Sequence, residues 1–450
     1  MSISLAELLR KGELTIAVIG LGRIGLPTAV MFAEAGAKVI GVDIDPSVVD
    51  KVNRCETRFV DEPGLMEALI KVVNQGRLRA VLDASEAASK AHVSIICVPT
   101  PVDENKIPDY SAVVSAARSV ARGMVKGALV IIESTVGPGD VEELIVPELE
   151  AHSGLKAGED FHVASCPERA DPGRVMECLR TVPRIIGGLT ERCTEMAAEL
   201  YEEVFKVKVV KVSSPKIANA VKITENIFRD VNIALMNELA VLYEKLGIDI
   251  YEVIEACSTK WNFVPHYPGP GVGGPCLPAN PYYLIYRGVR VNFIPYIVRV
   301  AREVNDRMPE HVISLVSKGL NLAAKPLKGS KIAVLGISYK PNVKDLQLSP
   351  SLRIVKELMK LQAQVVVYDP MYIKEEVLGV NCASSLEEAL RGVDCVVLTT
   401  AHNYFKHMDL FSAARLMNQP PVFVDAVGMF DKRKVPSSII FLGVGRGVLH

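Results

Sequence analysis

The chain has 450 residues, of which 49% are hydrophobic and 23% charged, with a formal net charge of -1 at pH 7. That length exceeds what one hydrophobic core serves and predicts about two to three domains, and the balanced charge argues against a nucleic-acid or anionic-membrane partner. The opening MSISLAELLRKGEL carries Glu7 and Arg10 inside its only apolar run, and the next apolar stretch is broken by Arg23, Glu34 and Lys38, so neither a signal peptide nor a membrane span is expected. The nine cysteines form no CxxC pair and have no neighbouring His cluster. This argues against a disulfide framework and against structural zinc, predicts no metal, and fits a reducing cytoplasm.

In chain order the first informative segment is ELTIAVIGLGRIGLPTAVMFAEAGAKVIGVDID. It reads as a strand from Ile16 to Ile19, a tight turn with Gly20, Gly22 and Gly25, a helix, and a second strand ending at Asp43. Glycines at this spacing let the backbone approach a pyrophosphate at a helix N-terminus, and the acid about 20 residues downstream accepts ribose hydroxyls. Asp43-Ile44-Asp45-Pro46 offers acceptors and no cation for a 2′-phosphate, which favours NAD over NADP. The plainer alternative for Asp43 is a cap on the helix starting at Pro46. From Ile16 to about Lys211 the runs TIAVIG, KVIGVD, VSIICVP, ALVIIEST, FHVASCPE, RIIGG and KVVKV alternate with helical patterns, predicting βαβ units and a parallel sheet. Thr135 and Glu168 fall at strand ends, where such sheets keep their chemistry; the alternatives are a turn hydrogen bond and a surface carboxylate.

From Ser214 to Gly247 one long helix is predicted, with Ser214-Pro215 as its start and Gly247 as its stop. Lys222, Asn226 and Arg229 share a face, and Asn237 continues that stripe. Either the face is solvated, or, since the flanks are apolar nearly all round, the helix is largely buried and its Lys and Asn need partners or a ligand. A Lys donating to a developing oxyanion would supply both. The run GPGVGGPCLPANPYYL then places Cys276 among glycines and prolines. A thiol there is accessible and reads as a nucleophile, against the alternative of a small buried hydrophobe. The other eight cysteines read as structural. Nicotinamide chemistry beside a cysteine nucleophile suggests an oxidation through a thioester. A second helix, VRVAREVNDRMPEHVISLVSKGLN, leads to a linker at 323–330. Beyond it KIAVLGISYK, AQVVVYDP, CVVLTTA, PPVFVDA and SSIIFLGVG predict a second α/β unit. Gly336 is followed by Ile337, Ser338 and Tyr339, without the three-glycine spacing, so a second dinucleotide in the same geometry is not expected.

The motifs GLGRIGLPTA, CVPTP, ESTV, CPER, AVKITENIFRDVNIALMNEL, GPGVGGPCLP, AREVNDRMP and VLGISYKPNVKD, in this order, resemble the UDP-glucose/UDP-N-acetylmannosamine 6-dehydrogenase family. The resemblance runs from about residue 14 to residue 446, and ENIFRDVNIA, PGPGVGG and AREVNDRMP look most like its UDP-N-acetyl-D-mannosamine branch. It implies an α/β fold in three domains: an N-terminal NAD-binding Rossmann domain over 1–212, a central helical dimerisation domain with the long helix and Cys loop over 213–322, and a C-terminal Rossmann-like UDP-sugar-binding domain over 323–450. Carried over residue by residue, Cys276 is the nucleophile, Lys222 and Asn226 stabilise the oxyanion, and Thr135 and Glu168 position water or the reacting alcohol. Gly20, Gly22, Arg23, Ile24, Gly25, Asp43, Thr100, Thr135 and Gln347 fall at cofactor positions, and Arg169, Lys222, Asn226, Arg229, Gly273 and Lys340 at substrate positions. The implied chemistry takes a UDP-sugar C6 alcohol through aldehyde and thioester to the uronate with two NAD molecules, in a homodimer. The chain departs from the family pattern at Pro275, at Asn280 (usually Asp, at a catalytic position), at Gln347 (usually Arg) and at Val427 (usually Arg). Alternatives are the same chemistry on UDP-GlcNAc or UDP-glucose, or a relative that binds both ligands without turnover.

Overall fold

The computed structural model describes residues 4–447. Its first sheet contains β1 Thr15–Ile19, β2 Lys38–Val42, β3 Leu78–Val81, β4 Val93–Ile96, β5 Leu129–Ile132, β6 His162–Ser165, β7 Arg184–Gly188 and β8 Val209–Val212, in the spatial order β3-β2-β1-β4-β5-β6-β7-β8. Successive residues of a strand face opposite sides of the sheet. In β1, Ile16 and Val18 enter one apolar cluster and Ala17 and Ile19 another. Helices cover both faces, so both sets must be apolar, and these strands read as continuous hydrophobic runs.

Two expectations are corrected here. β3 lacks a recognisable apolar run because it is a four-residue edge strand whose Arg79 points to solvent. The sheet is also not wholly parallel: β7 pairs antiparallel with β6, and β8 follows β7. The only helix between β6 and β7, Val175–Thr181, has seven residues and rises about 10 Å, and β7 starts beside the end of β6. Arg184, the first residue of β7, thereby comes next to Glu168.

The described residues fall into two compact units, one running through Glu225 with Tyr282–Ile294 added, the other formed by Asn226–Pro281 and the chain from Pro295 onward. The division lies within the helix Pro215–Leu246, whose 32 residues match the predicted start and stop signals. This helix is less buried than its composition suggests. Phe228, Leu235 and Leu242 are about half exposed, and their seven-residue spacing gathers them on one face. In the second unit β9 Lys331–Leu335, β10 Gln364–Tyr368, β13 Cys395–Leu398, β14 Val422–Asp425 and β15 Ile440–Gly443 form a parallel sheet in the order β10-β9-β13-β14-β15. The expected runs supply all five; the small hairpin of β11 Glu376–Val377 and β12 Val380–Asn381 was not foreseen. The helix Tyr296–Leu322 packs on β14 and β15. No helix among the described residues is long and apolar enough to cross a membrane.

Candidate active site

In the first unit β1 runs into the glycine turn. A Cβ on Gly20, whose φ is +95°, would lie 2.5 Å from the Cys97 carbonyl oxygen, and one on Gly25 would lie 1.9 Å from the Gly20 oxygen; at Gly22 nothing lies within 4 Å. Two glycines therefore close the turn, and the third keeps open the N-terminus of the helix Gly25–Glu34, which no side chain caps. A pyrophosphate satisfies such orphan amides. The Asp43 Oδ2 accepts the Leu21 N–H at 2.9 Å and its Oδ1 the Asp45 N–H at 3.0 Å, leaving a lone pair on each oxygen for ribose hydroxyls. Capping of the helix at Pro46 falls to Asp45, which accepts from Ser47, so the alternative role for Asp43 is excluded. Ile24 packs against the core beside the turn. The Arg23 guanidinium pairs with Asp61 at 2.9 Å and Glu62 at 3.1 Å, partners that no sequence motif marks.

Asp43→Ala is expected to weaken NAD binding about 10–100-fold, the worth of one or two hydrogen bonds to a charged acceptor, and to narrow the preference over NADP. Calorimetric titration with each nucleotide checks this.

At the strand ends the Thr100 hydroxyl donates to the Thr135 carbonyl at 2.6 Å. Glu133, at the end of β5, is buried and accepts from the Tyr201 hydroxyl at 2.6 Å and the Cys97 thiol at 3.1 Å; burial pushes its carboxyl upward although Arg184 opposes. Glu168 is only 8% exposed, which excludes the surface-carboxylate alternative. Its Oε1 accepts the Arg169 and Ala170 N–H groups at 2.7 and 2.5 Å, and its Oε2 the Arg184 Nη1 at 2.5 Å. Burial alone would raise this carboxyl, but the charges of Arg184 and Lys222 outweigh it and hold Glu168 below the usual carboxylate range. Arg184 itself is buried and lies 4.6 Å over the Phe205 ring. Sequence reasoning read RIIGG as strand and missed this residue. Lys222 is buried on the long helix. The Arg169 guanidinium is oriented by Glu225, at 3.0 and 2.5 Å, and by the Pro183 carbonyl at 2.6 Å.

In the second unit the Asn226 amide donates to the Asn280 Oδ1, and the Asn280 and Ala279 N–H groups donate to the Cys276 carbonyl at 2.9 and 3.2 Å. Asn226, Asn280 and the Cys276 turn are thus gathered, with Asn280 buried at the start of the helix Asn280–Arg290 and Cys276 half-buried. All nine cysteines are free thiols. Burial pushes the Cys97, Cys166 and Cys395 thiols upward and that of Cys382 to about 11, while Cys257 is exposed at the end of its helix. The glycines before Cys276 are dictated by close neighbours, the Tyr339 ring at Gly274 and the Tyr339 Cβ and Pro350 at Gly273. A Cβ on Gly273 or Gly274 would meet Tyr339 at 2.8 or 2.6 Å. The Gly274 N–H donates to the Gln347 carbonyl at 2.9 Å, while the Gln347 side chain is exposed. Arg229 is exposed, and Lys340, Pro275 and Val427 are half-buried, exposed and half-buried respectively. Asn237 is neither solvated nor ligand-facing: it is buried and bonded to Asn305 and Gly269.

Asp369, which follows β10 as Asp43 follows β2, differs from it in one decisive way. Its Oδ2 accepts from Ile337 N–H, Ser338 N–H and hydroxyl, and His402 at 2.7–3.1 Å, and its Oδ1 from Met371 N–H at 2.8 Å. Because His402 Nδ1 accepts the Asn342 N–H, its Nε2 carries the proton that faces Asp369. Oδ2 is consumed internally and only Oδ1 keeps a lone pair, so Asp369 lacks the two free acceptors that Asp43 offers a ribose, consistent with the missing glycine spacing.

Residues 14–205 match the NAD binding domain, residues 216–307 the central domain and residues 333–432 the UDP binding domain of UDP-glucose/GDP-mannose dehydrogenases. The chain belongs to the UDP-glucose/GDP-mannose dehydrogenase family. It is 39% identical to a UDP-N-acetyl-D-mannosamine dehydrogenase of Pyrococcus horikoshii over 96% of this chain and 99% of that protein, and 35% identical to a UDP-N-acetyl-D-glucosamine 6-dehydrogenase of Pseudomonas aeruginosa over 94% and 98%. A solved structure of the Pyrococcus horikoshii UDP-D-ManNAc dehydrogenase superposes with a TM-score of 0.90 at 38% identity, covering 96% of this chain and all of that one. This dehydrogenase is therefore α/β, with an N-terminal NAD-binding domain, a central domain built on the long helix and a C-terminal UDP-binding domain. The open Gly22, the uncapped helix and the spare lone pairs of Asp43 fit the dinucleotide.

Proposed function

We propose that this dehydrogenase oxidises the C6 alcohol of UDP-N-acetyl-D-mannosamine to UDP-N-acetyl-D-mannosaminuronate, with Cys276 as covalent nucleophile. The observation that carries the chemistry is the gathering of Asn226, Asn280 and the Cys276 turn; the choice of sugar is supported by the Pyrococcus horikoshii relative. Gly20, Gly22, Arg23, Ile24, Gly25, Asp43, Thr100, Thr135 and Gln347 would hold NAD, which would supply a hydride acceptor for each of two oxidations. Lys222 and Asn226 donate to the sugar oxygen as negative charge develops. The Cys276 sulfur adds to the aldehyde carbon, giving a thiohemiacetal, and the second oxidation leaves a thioester. Glu168, an anion by virtue of Arg184, takes the proton of the water that attacks the thioester carbonyl; the C–S bond breaks and the thiol is restored. Thr135 orients that water. Asn280 is neutral, so its part is to orient Asn226. Arg169, its guanidinium set by Glu225, together with Arg229, Gly273 and Lys340, holds the UDP-sugar.

The Pseudomonas aeruginosa relative supports a second reading, the same chemistry on UDP-N-acetyl-D-glucosamine, and Asn280, Gln347 and Val427 support a third, binding without turnover. An assay of NADH against chromatographically measured uronate, run on UDP-ManNAc, UDP-GlcNAc and UDP-glucose, separates them. Two NADH per acid and the highest kcat/KM on UDP-ManNAc are expected. A ratio near one overturns the thioester scheme, preference for another sugar overturns the assignment, and no NADH from any leaves the binder.

Two further parts of this reading concern the molecule as a whole. The exposed face carrying Phe228, Leu235 and Leu242, with Leu246 60% exposed, supports a homodimer through the central domain. Light scattering should give twice the chain mass of 48.9 kDa, and Leu235→Glu should halve it. Nine free thiols support a reducing, cytoplasmic location.

A further inference from the structure

The motifs FRDVN and AREVND, read from sequence as marks of a branch, meet inside the second unit. Arg302 Nη1 donates to Asp230 Oδ1 at 2.5 Å, and the Asn305 amide donates to that oxygen at 2.9 Å and to the Asp230 carbonyl at 3.0 Å. Asn237 Nδ2 donates to Asn305 Oδ1 at 2.8 Å, and the Gly269 N–H donates to Asn237 Oδ1 at 2.9 Å. All four residues are at most 1% exposed. The chain of bonds has a direction. The carboxylate of Asp230 accepts only, so the Asn305 amide must point its NH₂ there and its oxygen to Asn237. Asn237 must then give its NH₂ to Asn305 and keep its oxygen for the loop. An aliphatic residue at 237 would hold neither end, and an aspartate would set acceptor against acceptor at Asn305.

Gly269 opens the segment that leads to Cys276. The next fixed point is the Gly274 N–H on the Gln347 carbonyl at 2.9 Å. The acceptor of the first anchor is thus a side chain, and that of the second a backbone carbonyl that no substitution removes. We propose that Asn237 is a positioning residue for the Cys276 loop: through Gly269 it sets where the loop departs and hence where the thiol stands. This rests on the reading of Cys276 as nucleophile, and a displacement of about 1 Å at such a group costs about 10²-fold in rate.

The test uses full-length Asn237→Ala and Gly269→Pro, the second removing the N–H donor while leaving the Asn237–Asn305–Asp230 chain intact. Folding is checked by circular dichroism, kcat and KM are measured with NAD and UDP-ManNAc, and Cys276 alkylation by iodoacetamide is followed by mass spectrometry in the ligand-free protein. Expected are a kcat lower by about 10–100-fold with KM for the sugar nucleotide little changed, and a severalfold change in the alkylation rate of Cys276 in both variants. A folded variant with the wild-type alkylation rate overturns the proposal even if kcat falls, because a purely structural clamp lowers stability without moving the thiol. Should Asn237→Ala fail to fold, Gly269→Pro decides alone. Should Cys276→Ala retain turnover, the nucleophile assignment fails, but alkylation still reports whether Asn237 places the loop.

Discussion

Cys276→Ala is expected to abolish formation of the sugar acid, by at least about 10⁴-fold, the scale on which loss of a covalent nucleophile falls. Neither the strand-end thiols nor the exposed Cys257 can substitute. Cys166 is buried and Cys97 half-buried at strand ends, burial pushes both thiols well up, and Cys97 also donates to Glu133. Cys257, though exposed, closes a helix away from the Asn226–Asn280 pair in sequence and in hydrogen bonding. NAD affinity should stay within about twofold of wild type, since the groups that fit the dinucleotide, Gly22 in the turn after β1 and Asp43 at the end of β2, belong to the first unit. Replacing a small, half-buried side chain outside a helix or strand should change stability by less than about 1 kcal/mol. Chromatography of the uronate and calorimetry with NAD check both halves, and retained full turnover would place the nucleophile elsewhere.

The second large effect is expected at Glu168 and its buried partner. Glu168→Gln keeps an oxygen for the Arg169 and Ala170 N–H groups but loses the charge that takes up a proton. Acid release should fall about 10²–10⁴-fold, the usual worth of a general base, and a thioester should accumulate on Cys276, visible as an adduct when the quenched protein is weighed by mass spectrometry. An absent adduct with unchanged turnover removes Glu168 from the mechanism. Arg184→Met tests the same carboxylate from the other side. Burial raises Glu168, and the Arg184 guanidinium is the strongest opposing influence; without it the carboxyl titrates higher, so the acid limb of kcat should move to higher pH. The effect on stability has the corresponding sign. A carboxyl held low in the native state contributes stability above its unfolded pKa and loses it as pH falls through the native value. The rise of melting temperature with pH in the acid range should therefore flatten in Arg184→Met. That variant should also lose about 3–5 kcal/mol at neutral pH, as a buried pair does when one partner is removed.

The parts of this protein legible in its residues are those whose cause is local. The Gly20–Gly22–Gly25 turn, the strand runs, the start and stop of the helix Pro215–Leu246 and the Gly-Pro setting of Cys276 follow from backbone sterics and from periods of two and 3.6 residues, which act over a few positions. The eight motifs that carry the family resemblance are likewise short stretches. What only the tertiary structure decided are the partners of the buried polar groups. Glu168 meets Arg184 because β7 turns back antiparallel to β6, and Asp230 meets Arg302 across 72 residues because two helices pack together. Arg169 is taken up by Glu225, Asn237 reaches the loop through Gly269, and Asp369 is spent on its own turn and His402 while Asp43 is not. A polar side chain in a sequence announces only that, once buried, it needs a partner. Which partner it finds depends on strand direction and helix packing, and these are settled by the burial of apolar faces along the whole chain.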